Sequence, residues 1–385
     1  MIKNIPYWRL SSFYWFYFAT LGAFIPYFSL YLSDAGFNAI EIGQLMAVIM
    51  GTKIVAPYLW GWIADHRGSR LGIIRIGAVL AMLGYTGIFF SISFWWLFLV
   101  LMVFSFFWNA ILPQFEALTF NHLSKNEHQY SWVRIWGSIG FVVAVTIMGI
   151  VFSSVSISHL PWFVWSLLGG IAFSTFLISD HSGAVHKESH QPLSHILKNK
   201  QVVALLLACL LIQASHGPYY TFYSIYTESH GYDKSWIGVL WAIGVLSEVI
   251  AFAMMPYLVK KFGLRTLLLF SLFSGSLRWL LIGFYIDNVY ITTFAQIFHA
   301  STFGIYHAVA IAYIHHYFKG KNQGKGQALY SSISFGLGGA IGSLYGGYLW
   351  DSAGASMTFT ISAILSFLAF MISWKYTDKE NTIDS

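Results

Sequence analysis

Residues 31–43 read Tyr31-Leu-Ser-Asp-Ala-Gly36-Phe37-Asn-Ala-Ile-Glu-Ile42-Gly43, and 195 positions later residues 226–238 read Tyr226-Thr-Glu-Ser-His-Gly231-Tyr232-Asp-Lys-Ser-Trp-Ile237-Gly238. At this one offset Tyr31 meets Tyr226, Gly36 meets Gly231, Phe37 meets Tyr232, Ile42 meets Ile237 and Gly43 meets Gly238. Further along, Gly68 meets Gly263 and Arg70 meets Arg265. Chance rarely places so many glycine and aromatic matches at one spacing. The chain therefore reads as two copies of one unit.

Working outward, apolar runs long enough to cross a bilayer, about 20 residues each, recur throughout. They cover 10–32, 40–63, 71–91, 94–120, 132–154, 160–179, 201–226, 236–258, 266–285, 289–316, 326–350 and 355–374. These are spans 1 to 12, and the fold class they predict is an all-α membrane protein of two pseudo-symmetric six-helix bundles. The first run follows Lys3 and Arg9 as a signal peptide would. It is longer than an h-region and lacks a small-residue cleavage site, so it reads as span 1. The longest polar stretch, 180–200, is the expected cytoplasmic linker between a bundle at 1–179 and one at 201–385, which ends in a short cytoplasmic tail.

Composition agrees: 57% of the 385 residues are hydrophobic and 9% charged, against roughly 25% charged in soluble domains. The net charge of +6 follows membrane topology and does not point to nucleic acid. With both termini inside, all but four of the 21 Lys and Arg fall on the cytoplasmic side. Lys234 falls outside, and Lys53, Arg134 and Arg278 sit within or at the edge of spans. The positive-inside rule demands such a bias, and shifting the span count by one destroys it. Cys209, the single cysteine, supports neither a disulfide framework nor a thiolate metal site. It reads as a small packing residue. No phosphate loop, zinc-ligand set or nucleophile elbow is present, so neither ATP hydrolysis nor an enzyme is suggested, and no metal or cofactor is expected.

The loop after span 2, Gly61-Trp-Ile-Ala-Asp65-His66-Arg67-Gly68-Ser69-Arg70, allows a short glycine turn. Asp65 and Arg70 stand ready for ion pairs that break and re-form as two halves rock. A basic cytoplasmic turn is the plain alternative, but a degenerate second copy at Pro256–Arg265, with Lys260 where Asp65 stands, favours the gating role.

An ionisable residue at a helix centre costs roughly 2.5–3.5 kcal/mol on insertion scales and is a functional candidate by default. Lys53, Glu116, Arg134, Glu248 and Arg278 qualify, with His216, His299 and His307. Glu116 and Arg134 lie on neighbouring spans joined by a short loop, so a pair is geometrically easy. It serves either a carboxylate or hydroxyl-rich substrate or a clasp between spans 4 and 5. Lys53 and Glu248 are equivalent under the 195-residue shift. Glu248 is a natural proton carrier or one member of a fixed ion pair. His299 and His307 shuttle protons or are satisfied hydrogen-bond groups. Spans 1 and 7 carry Phe24-Ile-Pro26-Tyr27-Phe28 and His216-Gly-Pro218-Tyr219-Tyr220, where proline bends a helix and Tyr27, His216 and Tyr220 can line a site. The competing reading is an interfacial aromatic belt. Small residues at four-residue spacing, Gly338, Gly342 and Gly346 in span 11 and Gly43, Ala47 and Gly51 in span 2, allow close helix approach.

Two bundles related by an axis along the membrane normal form the architecture of major facilitator transporters, and the loop after span 2 resembles that superfamily's signature, with His66 replacing a basic residue. Val133-Arg134-Ile-Trp136-Gly137-Ser138, Gln213-Ala-Ser-His216-Gly-Pro-Tyr219-Tyr220, Gly244-Val-Leu-Ser-Glu248-Val-Ile, Leu277-Arg278-Trp279 and His299-Ala-Ser-Thr302-Phe303 resemble the bacterial phenylpropionate permease family, through essentially the whole chain. More distantly the chain is similar to lactose permease and the nucleoside–proton symporters. That comparison implies that Glu116 and Arg134 match a sugar-binding pair, and that Arg278 and His299 match the sugar- and proton-coupling cluster. Thr302 stands where lactose permease has its proton-carrying glutamate, which shifts the proton to Glu248, His216 or His299.

The resemblance implies proton-driven uptake of a small organic substrate, with an aromatic acid such as 3-phenylpropionate the expected cargo. Glu116, Arg134, Arg278, Tyr27, His216 and Tyr220 are the expected substrate residues. Glu248, His299 and His216 are the expected coupling residues, and Gly61, Asp65, Gly68 and Arg70 the gate. A monomer in a bacterial inner membrane, with no nucleic-acid partner, is the expected setting. An oligosaccharide or nucleoside symporter remains the alternative. A drug–proton antiporter fits less well, because span 5 lacks the Gly-Pro-rich motif of that group, and a non-transporting receptor needs no buried charge cluster.

Overall fold

A computed structural model of the chain describes residues 6–67, 69–123, 129–179, 196–320 and 322–377. Gly68, the side chain of Asp65 and the linker up to residue 195 lie outside the described residues, so nothing follows for those parts of the expected gate and linker. Seven helices come first: α1 Tyr7–Asp34, α2 Ala39–Arg67, α3 Arg70–Tyr85, α4 Phe94–Leu123, α5 Tyr130–Phe152, α6 Leu160–Phe176 and α7 Lys200–Ser229. Next comes a 51-residue run, Lys234–Phe284. Straight, it would reach about 75 Å, more than twice a bilayer core. Gly263, at φ 74° and ψ 159°, breaks it into α8 (234–262) and α9 (264–284). Helix α10 is Val289–Tyr317, with a π-helical stretch at Ala300–Ile305. The run Asn322–Tyr376 is broken at Gly354 (φ 84°) into α11 (322–353) and α12 (355–376), and Ser332–Gly338 in α11 is π-helical. Ten of these runs are long and apolar enough to cross a membrane.

The repeated stretch at 31–43 and 226–238 forms the same turn twice. Gly36 and Gly231 have φ of 91° and 84°, a left-handed backbone that a side chain resists. Two residues later a side chain caps the next helix. Asn38 Oδ1 accepts from the Glu41 amide at 3.0 Å while Glu41 accepts from the Asn38 amide, a reciprocal capping box. At the equivalent position Asp233 Oδ1 accepts from the Trp236 amide at 2.8 Å. That bond, with bonds from the Ser235 hydroxyl and amide, holds the Asp233 carboxyl below its ordinary pKa.

By contacts the chain divides into two units, Met1–Val185 with Tyr232–Ala242, and His186–Gly231 with Ile243–Ser385. In the first, α1 packs on α5 and α6, and α4 packs on α2 and α3. In the second, α7 packs against α11. Helices α1 and α7 are the most enclosed, with 72% and 78% of their apolar windows buried, so each is the centre of its unit. Glycine permits these central contacts. A Cβ on Gly22 would lie 2.5 Å from Phe141 O, and at the equivalent position one on Gly217 would overlap the backbone at Gly342. The stripe Gly338, Gly342 and Gly346 thus serves α7 within its own unit, where it meets Leu210 O, Ala214 O and Pro218. A Cβ on Gly51 of α2 would meet no other element within 4 Å among the described residues. Cys209 is fully buried, and its carbonyl accepts from Ser334.

One sequence match does not carry over into structure. Arg265 donates to Trp374 O at 2.8 Å and to Thr377 O, closing the end of α12. In the first unit Arg75, not Arg70, does this work, donating to Ile178 O at 2.9 Å and to Thr175 O. Both satisfy carbonyls that a helix end leaves open. Outward-facing rings such as Phe90 and Trp95, about three-quarters exposed, belong on a surface facing lipid rather than water.

Candidate functional site

In the second unit the buried charge predicted on α9 sits inside a hydrogen-bond network. Arg278 is 0% exposed. Its Nε donates to Ala295 O at 3.2 Å, one Nη to His299 Nδ1 at 3.1 Å and Thr302 Oγ1 at 3.0 Å, and the other to Gln296 Oε1 at 3.3 Å. Its guanidinium also lies 4.3 Å from the Tyr219 ring and 4.7 Å from that of Trp279. Burial in apolar helices is tolerable because the fork geometry satisfies several donors at once.

The hydrogen bonds assign the histidine tautomers. Arginine only donates, so His299 Nδ1 is the lone-pair nitrogen and the neutral ring carries its proton on Nε2. That nitrogen lies 3.5 Å from a Glu248 carboxylate oxygen. A chain therefore runs from guanidinium through imidazole to carboxylate, bringing together three residues nominated from sequence. His216 is held in the opposite tautomer. Its Nδ1 lies 2.8 Å from Ile212 O, which only accepts, so Nδ1–H donates and Nε2 presents a lone pair. That atom is buried and has no hydrogen-bond partner among the described residues. His216 meets the edge of Trp279 at 4.8 Å, stacks on Tyr220 at 5.8 Å, and lies 6.5 Å from the His299 ring.

Tyr219 and Trp279 stood in the quoted motifs without a site role, and Gln296 was not singled out in the sequence. Tyr219 donates to Gln296 Oε1 at 2.8 Å, and Trp279 donates to Ser215 at 3.0 Å. Gln296 stands one helical turn before His299 and is fully buried. An amide in an apolar run, three residues from a nominated histidine, was the available signal. Farther along α10, His307 lies 2.9 Å from the Tyr330 hydroxyl.

In the first unit the structure does not bring Glu116 and Arg134 into contact. Glu116 Oε1 accepts from the Tyr130 hydroxyl at 3.3 Å. Arg134 instead lays its guanidinium 3.8 Å from the centre of the Phe18 ring and 5.6 Å from that of Tyr14. No ion pair within 4.0 Å joins Glu116 and Arg134 among the described residues. Tyr27 is fully buried and donates to Val145 O at 2.8 Å, tying α1 to α5. Of the gate residues, Gly61 and Arg70 both approach Gln114 of α4. Arg70 donates to Gln114 Oε1 at 3.4 Å, and a Cβ on Gly61 would lie 3.4 Å from its amide nitrogen.

Long apolar helices in two units of repeated design, carrying buried ionisable groups, are those of a multi-pass membrane protein. The chain belongs to the MFS_1-like family, whose model matches residues 7–361. A relative described as a "probable 3-phenylpropionic acid transporter" from Escherichia coli K12 is 29% identical over 383 residues, covering 97% of this chain and 98% of its own. Maltose permease of Geobacillus stearothermophilus is 27% identical, covering 94% of this chain and 92% of its own. The crystal structure of the nucleoside transporter NupG superposes with a TM-score of 0.81 at 16% identity, covering 96% of this chain and 99% of its own, which shows the shared fold. The protein is thus a secondary transporter that handles small molecules within a lipid bilayer.

Proposed function

We propose that the protein imports an aromatic carboxylate of the 3-phenylpropionate kind together with protons, by alternating access. The observation that carries this reading is Arg134. Its guanidinium has no hydrogen-bond acceptor among the described residues and lies on aromatic faces, so it suits the two-pronged grip of a carboxylate. The relative described as a 3-phenylpropionic acid transporter supports the same cargo. Arg278, Glu116, His216, Tyr220 and Tyr27 complete the proposed substrate residues, with Tyr27 acting by holding α1 against α5. Proton coupling rests on Glu248. While Arg278 donates to His299 Nδ1, that ring cannot take a second proton, so His299 positions Glu248 and the carboxylate carries the proton. His216, with its open lone pair, is the second carrier. Counting each broken run as two gives twelve spans, in two bundles at 1–179 and 201–385. Basic-residue bias places both termini in the cytoplasm of a bacterial inner membrane. The protein works as a monomer with no cofactor beyond the proton gradient, and Gly61, Asp65, Gly68 and Arg70 form its gate. A hydroxyl-bearing cargo, sugar or nucleoside, is the second reading. It is favoured by the buried His216 acceptor and by the maltose-permease relative.

The test is uptake of labelled 3-phenylpropionate into proteoliposomes under an inward proton gradient. Empty liposomes and Glu248→Gln run alongside, because the neutral acid crosses lipid unaided. Accumulation above both controls, abolished by an uncoupler, is expected. Glu248→Gln should still exchange substrate without concentrating it. Uptake no greater than in empty liposomes would discard the aromatic acid and turn the search to sugars and nucleosides.

A further inference from the structure

Among the described residues Arg134 has no hydrogen-bond acceptor, and two uncharged residues shape its setting. Phe18 of α1 supplies a ring 3.8 Å beneath the guanidinium. Such a face attracts a cation without using its in-plane N–H groups. Gly137, one turn along α5 from Arg134, supplies the space. A Cβ there would lie 2.7 Å from an Arg134 Nη and 2.7 Å from Phe18 Cδ2, closer than real contacts allow, so any side chain at 137 drives guanidinium and ring apart. The nearby carboxylate, Glu116, is engaged by Tyr130 and does not close on the arginine. The guanidinium is thus stacked on one face, with its hydrogen-bonding edge unused among the described residues.

We infer that Phe18 and Gly137 are positioning residues that make Arg134 a receptor for a carboxylate: the ring holds the cation in place, and glycine keeps the stack intact. This rests on the carboxylate reading above and deepens it by naming what presents the arginine. The predicted selectivity is for a monoanion whose planar carboxylate meets the in-plane N–H edge. A cargo bound only through hydroxyl groups would depend less on the flat stack, because it does not need the two-pronged geometry.

The experiment is arginine modification by phenylglyoxal in purified, detergent-solubilised protein, read at the peptide containing Arg134 by mass spectrometry. 3-Phenylpropionate is titrated as protectant, with 3-phenylpropionamide as the neutral control. In the wild type the acid protects Arg134 and the amide does not. Phe18→Leu and Gly137→Ala shift the protection midpoint upward about ten-fold, the scale of a lost cation–π contact, while Phe18→Tyr keeps the wild-type midpoint. A Gly137→Ala variant that fails to fold leaves the Phe18 pair to decide. Protection in the wild type with an unchanged midpoint in Phe18→Leu overturns this inference alone. No protection by the acid in the wild type overturns the carboxylate reading, and this inference with it.

Discussion

Replacing Arg278 with glutamine tests the second-unit network most directly. The change removes a buried cation that makes four hydrogen bonds of 3.0–3.3 Å and touches two ring faces. Glutamine cannot span acceptors as far apart as Ala295 O, Gln296 and Thr302. Leaving buried acceptors without their donor costs about 1–3 kcal/mol each, or roughly 3–5 kcal/mol in all when glutamine restores part of the set. At roughly 2–4 °C per kcal/mol for chains of 150–250 residues, the unfolding temperature in detergent should fall by about 10 °C. A second consequence is specific to the chemistry. Without a donor at Nδ1, the His299 ring is free to take either tautomer, and the Nε2–H facing Glu248 is lost in part of the population. Accumulation should then fall more than substrate exchange, measured as counterflow in proteoliposomes. Arg278→Lys keeps the charge but not the fork and should lie between. A glutamine variant that melts within about 2 °C of the wild type and accumulates substrate fully would refute this account of the network.

Gly342→Ala should lower the unfolding temperature, because its Cβ overlaps Ala214 O and lies 2.7 Å from Gly217 Cα, backbone that cannot yield cheaply; about 1–3 kcal/mol is expected for such overpacking. Gly51→Ala, whose Cβ would meet no other element within 4 Å among the described residues, serves as the neutral control in the same scan, and equal melting of the two would count against the α7–α11 crossing. Asp233→Ala should loosen the start of α8 by about 1 kcal/mol, the usual value of a helix cap, read as faster amide exchange at Trp236. Because hydrogen bonds depress the Asp233 pKa in the folded state, the cap's contribution is present above the ordinary carboxylate value and fades as pH falls through the folded one. The difference between variant and wild type should therefore shrink on acidification, and a difference that grows would contradict the assignment.

Much of the architecture is written in local rules that a sequence exposes. Gly36 and Gly231 were legible because a left-handed turn excludes side chains, and Asn38 and Asp233 cap helices through atoms two or three residues away. The apolar runs and the bias of Lys and Arg reflect the bilayer itself, which acts on every span separately. The buried ionisable residues were legible for the same reason, since Glu248, Arg278 and His299 stand out wherever water is absent.

Partnership was another matter. Sequence spacing paired Glu116 with Arg134, yet Tyr130 engages the carboxylate and Phe18 receives the arginine, because α1 reaches α5 from more than a hundred residues away. Arg265 matched Arg70 by offset, but the carbonyls left open at the end of α12 correspond to those that Arg75 closes at α6. The stripe Gly338, Gly342 and Gly346 announced a close helix contact without naming α7 as its other side. His216 and His299 look alike in sequence, and only their neighbours, a carbonyl for one and a guanidinium for the other, set opposite tautomers. Sequence alone determined which residues needed a partner, because burial and backbone conformation act locally. Tertiary structure decided which partner each received, because hydrogen bonds and ring contacts form between whichever atoms packing brings within a few ångströms.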